Sequence, residues 1–318
     1  MTTERKQPVR GPDSCTPEWY AIRNSIIGSS EAAAACGLSE YKTPLGLYLE
    51  KTGQAEPFAG NEHTRRGKRY EPLIAEDWQE MTGRALIQYP CPMYLHPDLP
   101  GIAATPDGQI SETEGLEIKC PSPRMKDRFG EQGTDEIPND WKLQAQQQMG
   151  VMGWDRVHFA VKVFDEPQLY VVERDDRIID AMFKLEMRLL ERIAQRLPPD
   201  PTWGHETTLD LVYKINSTVN ENRVLLTRDE SSLWFEYERL GKEIGERESR
   251  RKEIKSKVLW AIGENGGGVL PDGRMVRRAW VHKSGHYVSP TSYIDTRAVK
   301  ADKGPIVERD HKKEEFAV

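Results

Sequence analysis

The sequence predicts an α/β fold, and three observations carry that prediction. Residues 61–82 place Tyr70, Leu73, Ile74, Trp78 and Met81 at helical spacing, the apolar stripe of a helix lying on a core. Residues 156–164 and 168–174 alternate apolar with polar positions, as a pair of adjacent strands does. A second amphipathic helix, 177–197, follows that hairpin directly. Helices interleaved with strands in this way build layers of helix on sheet.

The remaining elements follow in chain order. Residues 1–14 read as a flexible lead. Ser29-Ser30-Glu31 opens an alanine-rich helix, 32–35, that stops at Gly37; a serine followed by glutamate is a helix-start signal. Thr43-Pro44 opens a helix over 45–52, closed by Gly53. After the helix at 61–82 come strands at 85–89, 93–95, 101–104 and 115–120. A helix over 138–152 carries Trp141, Leu143, Ala145, Met149 and Val151.

Pro198-Pro199-Asp200-Pro201 ends the helix at 177–197 and marks the best domain boundary, separating residues 15–204 from an extension, 205–318. The extension holds a long charged helix at about 228–264. Its stripe of Leu233, Tyr237, Leu240 and Ile244 is interrupted by charge and resumes at Ile254, Val258 and Ile262. A small strand unit at about 268–290, with turns at 271–273 and 283–285, and a charged, disordered tail complete the chain.

A chain of 318 residues has ample material for a core. It has no run of 18 or more apolar residues, which excludes a membrane-spanning helix. Met1 to Pro12 is polar, so no secretory signal is expected. The four cysteines lack CxxC pairing and neighbouring histidines at zinc spacing, which argues against structural zinc and fits a reducing cytoplasm. A net charge of −6 gives no global attraction to nucleic acid, but basic residues cluster at 65–69, 247–257 and 274–278. Each cluster alone reads first as a solvated face.

The chemistry concentrates in Thr105-Pro106-Asp107-Gly108 and, after a spacer, Glu117-Ile118-Lys119-Cys120. Glu117 and Lys119, two apart on a strand, share a face, and a turn after Pro106 brings Asp107 back beside them. Two carboxylates are hard oxygen ligands of the kind Mg²⁺ prefers, and a lysine beside them can orient or deprotonate water. The competing reading is an edge strand with a surface ion pair.

Glu71 sits beside the apolar stripe of the helix at 61–82, where a carboxylate is more often a surface residue. Gln144 and Gln146 stand in a glutamine run whose plain reading is a solvated helix face. Arg23 offers a bidentate fork for phosphate oxygens and Ser30 a hydroxyl at a helix start; a salt bridge and a simple cap are the ordinary alternatives.

The ordered set resembles the YqaJ-type viral recombinases, the lambda exonuclease family. It runs through Trp19 to Arg23, Gly28-Ser29-Ser30-Glu31, Arg66-Gly67-Lys68-Arg69-Tyr70-Glu71, Thr105-Pro106-Asp107-Gly108, Gly115 to Pro121, Gln144 to Gln146, and Tyr170 to Asp175. The resemblance spans roughly Glu18 to Leu197. It implies a PD-(D/E)XK restriction-endonuclease-like core, a central mixed β-sheet flanked by helices, with a helical and small β extension attached.

The implied activity is divalent-metal-dependent resection of linear double-stranded DNA, 5′ to 3′, in phage or prophage recombination. The resemblance implies two Mg²⁺ ions, with Mn²⁺ able to substitute, held by Asp107, Glu117 and the carbonyl of Ile118. Lys119 would activate the attacking water, with Glu71 and Gln144 assisting. Arg23 and Ser30 would hold the terminal 5′-phosphate, Thr105 would stand near the phosphates, and Arg66 and Lys68 would grip backbone. A single-strand annealing protein as partner, a homo-oligomer with a trimer among the options, and the cytoplasm of a bacterial host are also implied. The extension beyond residue 200 has no counterpart in the lambda enzyme. An endonuclease or Cas4-like nuclease on the same core, and an inactive DNA-end-binding scaffold, are the alternatives.

Overall fold

The computed structural model describes residues 5–56, 60–164, 166–216 and 223–278, and the backbone of 306–307. The chain divides into two compact units, the first ending at Ser217.

The first unit opens with β1 (Val9–Arg10) and α1 (Pro17–Arg23), the latter capped by the Thr16 side chain. β2 (Ile27–Gly28) leads through a 3-10 turn at Ser29–Glu31 into α2 (Ala32–Ala35). α3 (Pro44–Lys51) and α4 (Glu62–Thr82) follow, capped by Thr43 and Asn61 respectively. Then come β3 (Tyr94–Leu95), β4 (Ile102–Ala104), β5 (Gly108–Gln109), β6 (Glu114–Lys119) and α5 (Asn139–Met152). β7 (Arg156–Val161), β8 (Gln168–Glu173), α6 (Asp176–Gln195) and α7 (Thr208–Ile215) complete it.

The strands form two four-stranded sheets, ordered β1-β3-β4-β2 and β5-β6-β7-β8. Both are mixed: β2 runs parallel to β4 and β6 to β7, and the other pairs are antiparallel. This is an α/β architecture of mixed sheets and helices, with the single expected central sheet split in two.

The split has a visible cause. Thr105, Pro106 and Asp107 intervene between β4 and β5, and Pro106 has no N–H to donate to a ladder. One face of the second sheet, through Leu116, Ile118 and Ala160, packs on Ile74, Ala75 and Trp78 of α4. The opposite face, through Val157, Phe159 and Tyr170, joins Ala145 and Met149 of α5 and Ile179 and Phe183 of α6. Gly115 admits the Trp154 ring, since a Cβ there would lie 2.0 Å from it.

Three local expectations differ. Val9 and Arg10 lie in the expected lead yet pair with Leu95 and Tyr94, and Arg5 bonds the Gly153 carbonyl at 2.9 Å. Residues 85–89 make one isolated bridge, Gln88 with Gln109, in place of a strand. The first unit also continues beyond the proline cluster. Leu211 of α7 packs with Leu45 and Leu49 of α3, burying an apolar face that would otherwise meet water.

The second unit holds β9 (Arg223–Val224), α8 (Arg228–Ile262), β10 (Gly267–Val269), β11 (Met275–Arg277) and β12 (Ile306–Val307). Antiparallel β10 and β11 form one ribbon, and β9 pairs with β12 in parallel. Thr227 caps α8, accepting from the Glu230 N–H at 3.3 Å. The strand unit expected to reach 290 is described only as far as 278; the turn at 283–285 and, apart from 306–307, the charged tail lie outside the described residues.

Candidate active site

The site forms where β5 meets β6. Gly108 pairs with Leu116 and Gln109 with Gly115, so the next register position sets Asp107 across from Glu117. Ile118 donates its backbone N–H to Asp107 Oδ2 at 2.6 Å, fixing the carboxylate at the strand edge. A strand residue's N–H and C=O point to the same side, so the Ile118 carbonyl faces the Asp107 edge too.

Strand alternation sends Leu116 and Ile118 into the α4 core and Glu117 and Lys119 toward α5. There Lys119 Nζ donates to Glu117 Oε1 at 2.7 Å and to Gln144 Oε1 at 2.9 Å. Gln144 Nε2 also donates to Glu117 Oε1. The ammonium stands 5.7 Å from the centre of the Trp141 ring. Glu117 itself is buried, so the pairing read as a surface ion pair is an interior one.

The glutamine run is buried throughout, against the expectation of a solvated face. Gln148 Nε2 donates to Glu117 Oε2 at 2.6 Å, a contact the sequence reading missed. Gln147 Nε2 donates to the carbonyls of Ile27 at 3.0 Å and Ala103 at 2.9 Å, tying β2 to β4. Gln146 donates to the Glu173 carbonyl at 2.7 Å and accepts from the Asp175 N–H at 2.9 Å, anchoring the start of α6. Each side-chain NH2 of the four finds an acceptor, which lets these polar side chains occupy a buried position.

The carboxylates perturb one another. Burial, then Glu117 and Glu71, push the Asp107 carboxyl well above its ordinary range, with Lys119 and the Ile118 N–H opposing. Burial, then Glu117, raises Glu71 likewise, offset in part by Lys119 and Lys68. Burial, then Asp107 and Glu117, holds the Cys91 thiol up at about 12. Glu71 on α4 therefore shares the electrostatic field of Asp107 and Glu117.

Such a set suits a divalent cation: hard oxygen donors whose mutual repulsion Lys119 only partly offsets. Among the described residues no group of three or more His, Cys, Asp and Glu side chains gathers at metal-ligating spacing. The donors on offer are thus two carboxylates and a backbone carbonyl.

A second cluster lies at the end of β2. Because β2 and β4 are parallel, with Gly28 beside Ala103, the turn at Ser29–Glu31 and the segment Thr105–Asp107 leave the same end of their sheet. Arg23 Nη2 donates to Glu31 Oε1 at 3.2 Å and its guanidinium lies 4.8 Å from the Trp19 ring centre. Glu31 Oε2 accepts from the Gly28 N–H at 3.0 Å and from Lys51 Nζ at 2.8 Å. The Lys51 side chain is only 3% exposed and also donates to the Arg23 carbonyl at 2.8 Å.

Arg23 thus forms the salt bridge weighed as its ordinary role, but one held from behind by a buried lysine. The Ser30 hydroxyl is exposed and Gly28, not Ser30, occupies the cap position. Arg66 and Lys68 sit on the first turns of α4, Arg66 5.8 Å from the Tyr70 ring centre and Lys68 exposed one turn before Glu71.

The chain is 26% identical over 265 residues to the uncharacterized protein YqaJ of Bacillus subtilis strain 168, covering 81% of this chain and 82% of that one. An alkaline exonuclease, LHK-Exo, from Laribacter hongkongensis aligns with a TM-score of 0.48 at 22% identity, over 57% of this chain and 94% of its own. A phage related exonuclease from Haemophilus somnus 129PT aligns with a TM-score of 0.43 at 16% identity, over 54% and 94% of the two chains. Residues 18–155 match the YqaJ-like viral recombinase domain.

Proposed function

We propose that this protein is a divalent-metal-dependent exonuclease that resects linear double-stranded DNA from the 5′ end in phage-type recombination. The observation that carries the reading is the register that sets Asp107 across from Glu117, with Lys119 bonded to the same glutamate. That sets an acid pair and a base side by side at the junction of β5 and β6.

In this reading Asp107, Glu117 and the Ile118 carbonyl would hold Mg²⁺, with Mn²⁺ able to replace it and two ions expected per site. A cation held there would lower the pKa of water and offset charge on the phosphate under attack. Lys119 would orient that water and, as the free amine, take its proton, while Gln144 bonds both Lys119 and Glu117. Glu71 adds negative field beside Asp107. Arg23 and Ser30 receive the terminal 5′-phosphate and Thr105 stands beside it. Arg66 and Lys68 bear on the backbone, a sequence-independent contact that weakens with salt. A fixed phosphate pocket at a fixed distance from the cutting site makes each cleavage repeat in register. A single-strand annealing protein would take up the exposed strand.

Digestion of linear duplex and of covalently closed circles, with Mg²⁺ and with chelator, tests the reading. Mononucleotide release from linear DNA alone, abolished by chelator, is expected. Equal cleavage of closed circles would replace the exonuclease assignment with an endonuclease.

A further inference from the structure

The helix α8 runs for 35 residues and leaves most of its apolar side chains in water. Leu233 is 67% exposed, Tyr237 64% and Ile244 57%, and Leu240, Ile254 and Val258 are also exposed. Their spacing is that of a coiled-coil seam. Tyr237, Ile244 and Val258 fall on one position of a seven-residue repeat, and Leu233, Leu240, Ile254 and Ala261 fall on the position three further on. Arg251 and Arg247 occupy the two seam positions of the middle repeat. From Leu233 to Ala261 the seam spans about four repeats and is apolar except at Arg247 and Arg251.

Charge along the helix is polarised. Residues 228–246 hold six acids to three bases, and residues 247–262 hold six bases to two acids. A parallel partner would set like halves together, with Glu243 facing Glu248 and Arg250 facing Lys255 of the second copy. An antiparallel partner sets each acidic half on a basic half.

We propose that α8 pairs with α8 of a second copy of this chain as an antiparallel, two-fold coiled coil. Aligning the helices end to end sets the two-fold axis beside Gly245 and Glu246. Leu233 then lies opposite Val258 of the second copy and Tyr237 opposite Ile254. Leu240 and Ile244 lie opposite Arg251 and Arg247, whose aliphatic stems cover them while the guanidinium groups reach out to the acidic half. On the flanks Glu236 meets Lys257 and Glu243 meets Arg250.

Within one helix these residues make exposed pairs, Arg239 with Glu236 and Glu243, and Glu253 with Arg250 and Lys257. Exposed pairs of this kind contribute little, so exchanging them for pairs across the seam costs little. A self-complementary patch related by a two-fold axis closes the assembly at two copies.

Sedimentation of the full chain over a range of concentrations is the first test, and a reversible dimer weakened by salt is expected. A monomer at all concentrations, or a trimer, would overturn the proposal. Two variants then test orientation: Glu236→Lys with Glu243→Lys, and Arg250→Glu with Lys257→Glu. Each alone should weaken association at least about tenfold, and an equimolar mixture should restore it, because each supplies the charge the other needs. Association of the first variant by itself would indicate parallel pairing and overturn the proposal.

Isotope-mixed lysine cross-linking of the unaltered protein reads the same geometry independently of any variant. Links between copies from Lys242 to Lys252 and Lys255 are expected. A Lys257–Lys257 link should be missing, since the two lie about 35 Å apart along the axis at 1.5 Å per residue; its appearance would overturn the register.

Discussion

Gln148 donates its side-chain amide to Glu117 Oε2 at 2.6 Å, while Gln144 and Lys119 engage Oε1. Both oxygens of a buried carboxylate are thereby held before any ligand arrives. The residue that completes this grip comes from a glutamine run that reads as solvated. Gln148→Leu should lower kcat about 10–100-fold, the usual effect of removing a partner of a metal-ligating side chain, with little change in KM for DNA. Steady-state kinetics check this; an unchanged kcat would reduce Gln148 to a packing residue.

The Asp107 carboxyl is raised by burial and by Glu117 and Glu71, so its folded form holds a proton more tightly than its unfolded form. Stability from such a group is fully present below the unfolded carboxyl pKa and is lost as pH rises through the folded value. In the metal-free protein Asp107→Asn should therefore raise the melting temperature at pH 8 and change it less at pH 4. Mg²⁺ should stabilise the native protein at pH 8 and fail to stabilise the variant. Calorimetry at both pH values, with and without Mg²⁺, measures the two effects without recourse to activity.

The account of the DNA end makes a separate prediction. A Cβ on Gly28 would lie 2.9 Å from Arg23 Nη1, at the free end of a flexible side chain. Gly28→Ala should displace the guanidinium and leave the fold intact. The preference for 5′-phosphate over 5′-hydroxyl ends should fall about tenfold, as expected from losing a charge-assisted hydrogen bond. Competition between the two duplexes, read beside the melting temperature, separates this from general damage.

Glu186 on α6 is fully buried, and neither oxygen has a hydrogen-bond partner among the described residues. Burial, then Glu31, raises its carboxyl well above the ordinary range. The sign is the same as for Asp107: the contribution is present at low pH and lost as pH rises. Glu186→Gln should stabilise the protein more at pH 8 than at pH 5. Melting curves at the two pH values check it, and equal shifts at both would contradict the raised carboxyl.

What could be seen in the sequence divides along physical lines. The long helices α4, α5, α6 and α8 announce themselves by apolar period, while their caps, such as Asn61 and Thr227, emerge only in the structure. The Asp107–Glu117 pairing is legible because strand alternation and a proline-led turn are both local signals. β5 is not legible, since two residues, Gly108 and Gln109, carry no period and owe their pairing to β6. Nor is the burial of Gln144, Gln146, Gln147 and Gln148, because amides enter a core only where a tertiary partner waits for them. Lys51 hides for the same reason: its role exists only through Glu31 and the Arg23 carbonyl. The strand at Val9–Arg10 depends on β3, far along the chain.

The most direct measurement follows a duplex with one end blocked, a 5′-phosphate at the open end and a distinct label on each strand, incubated with Mg²⁺. Nucleotides should leave in order from the 5′-phosphorylated strand, and Lys119→Met should slow the release about a thousandfold, or ~4 kcal/mol at 1.36 kcal/mol per decade. Release from the 3′ strand would contradict the 5′ polarity, and a Lys119→Met protein as fast as the native one would contradict the assignment of Asp107, Glu117 and Lys119 as the cutting site.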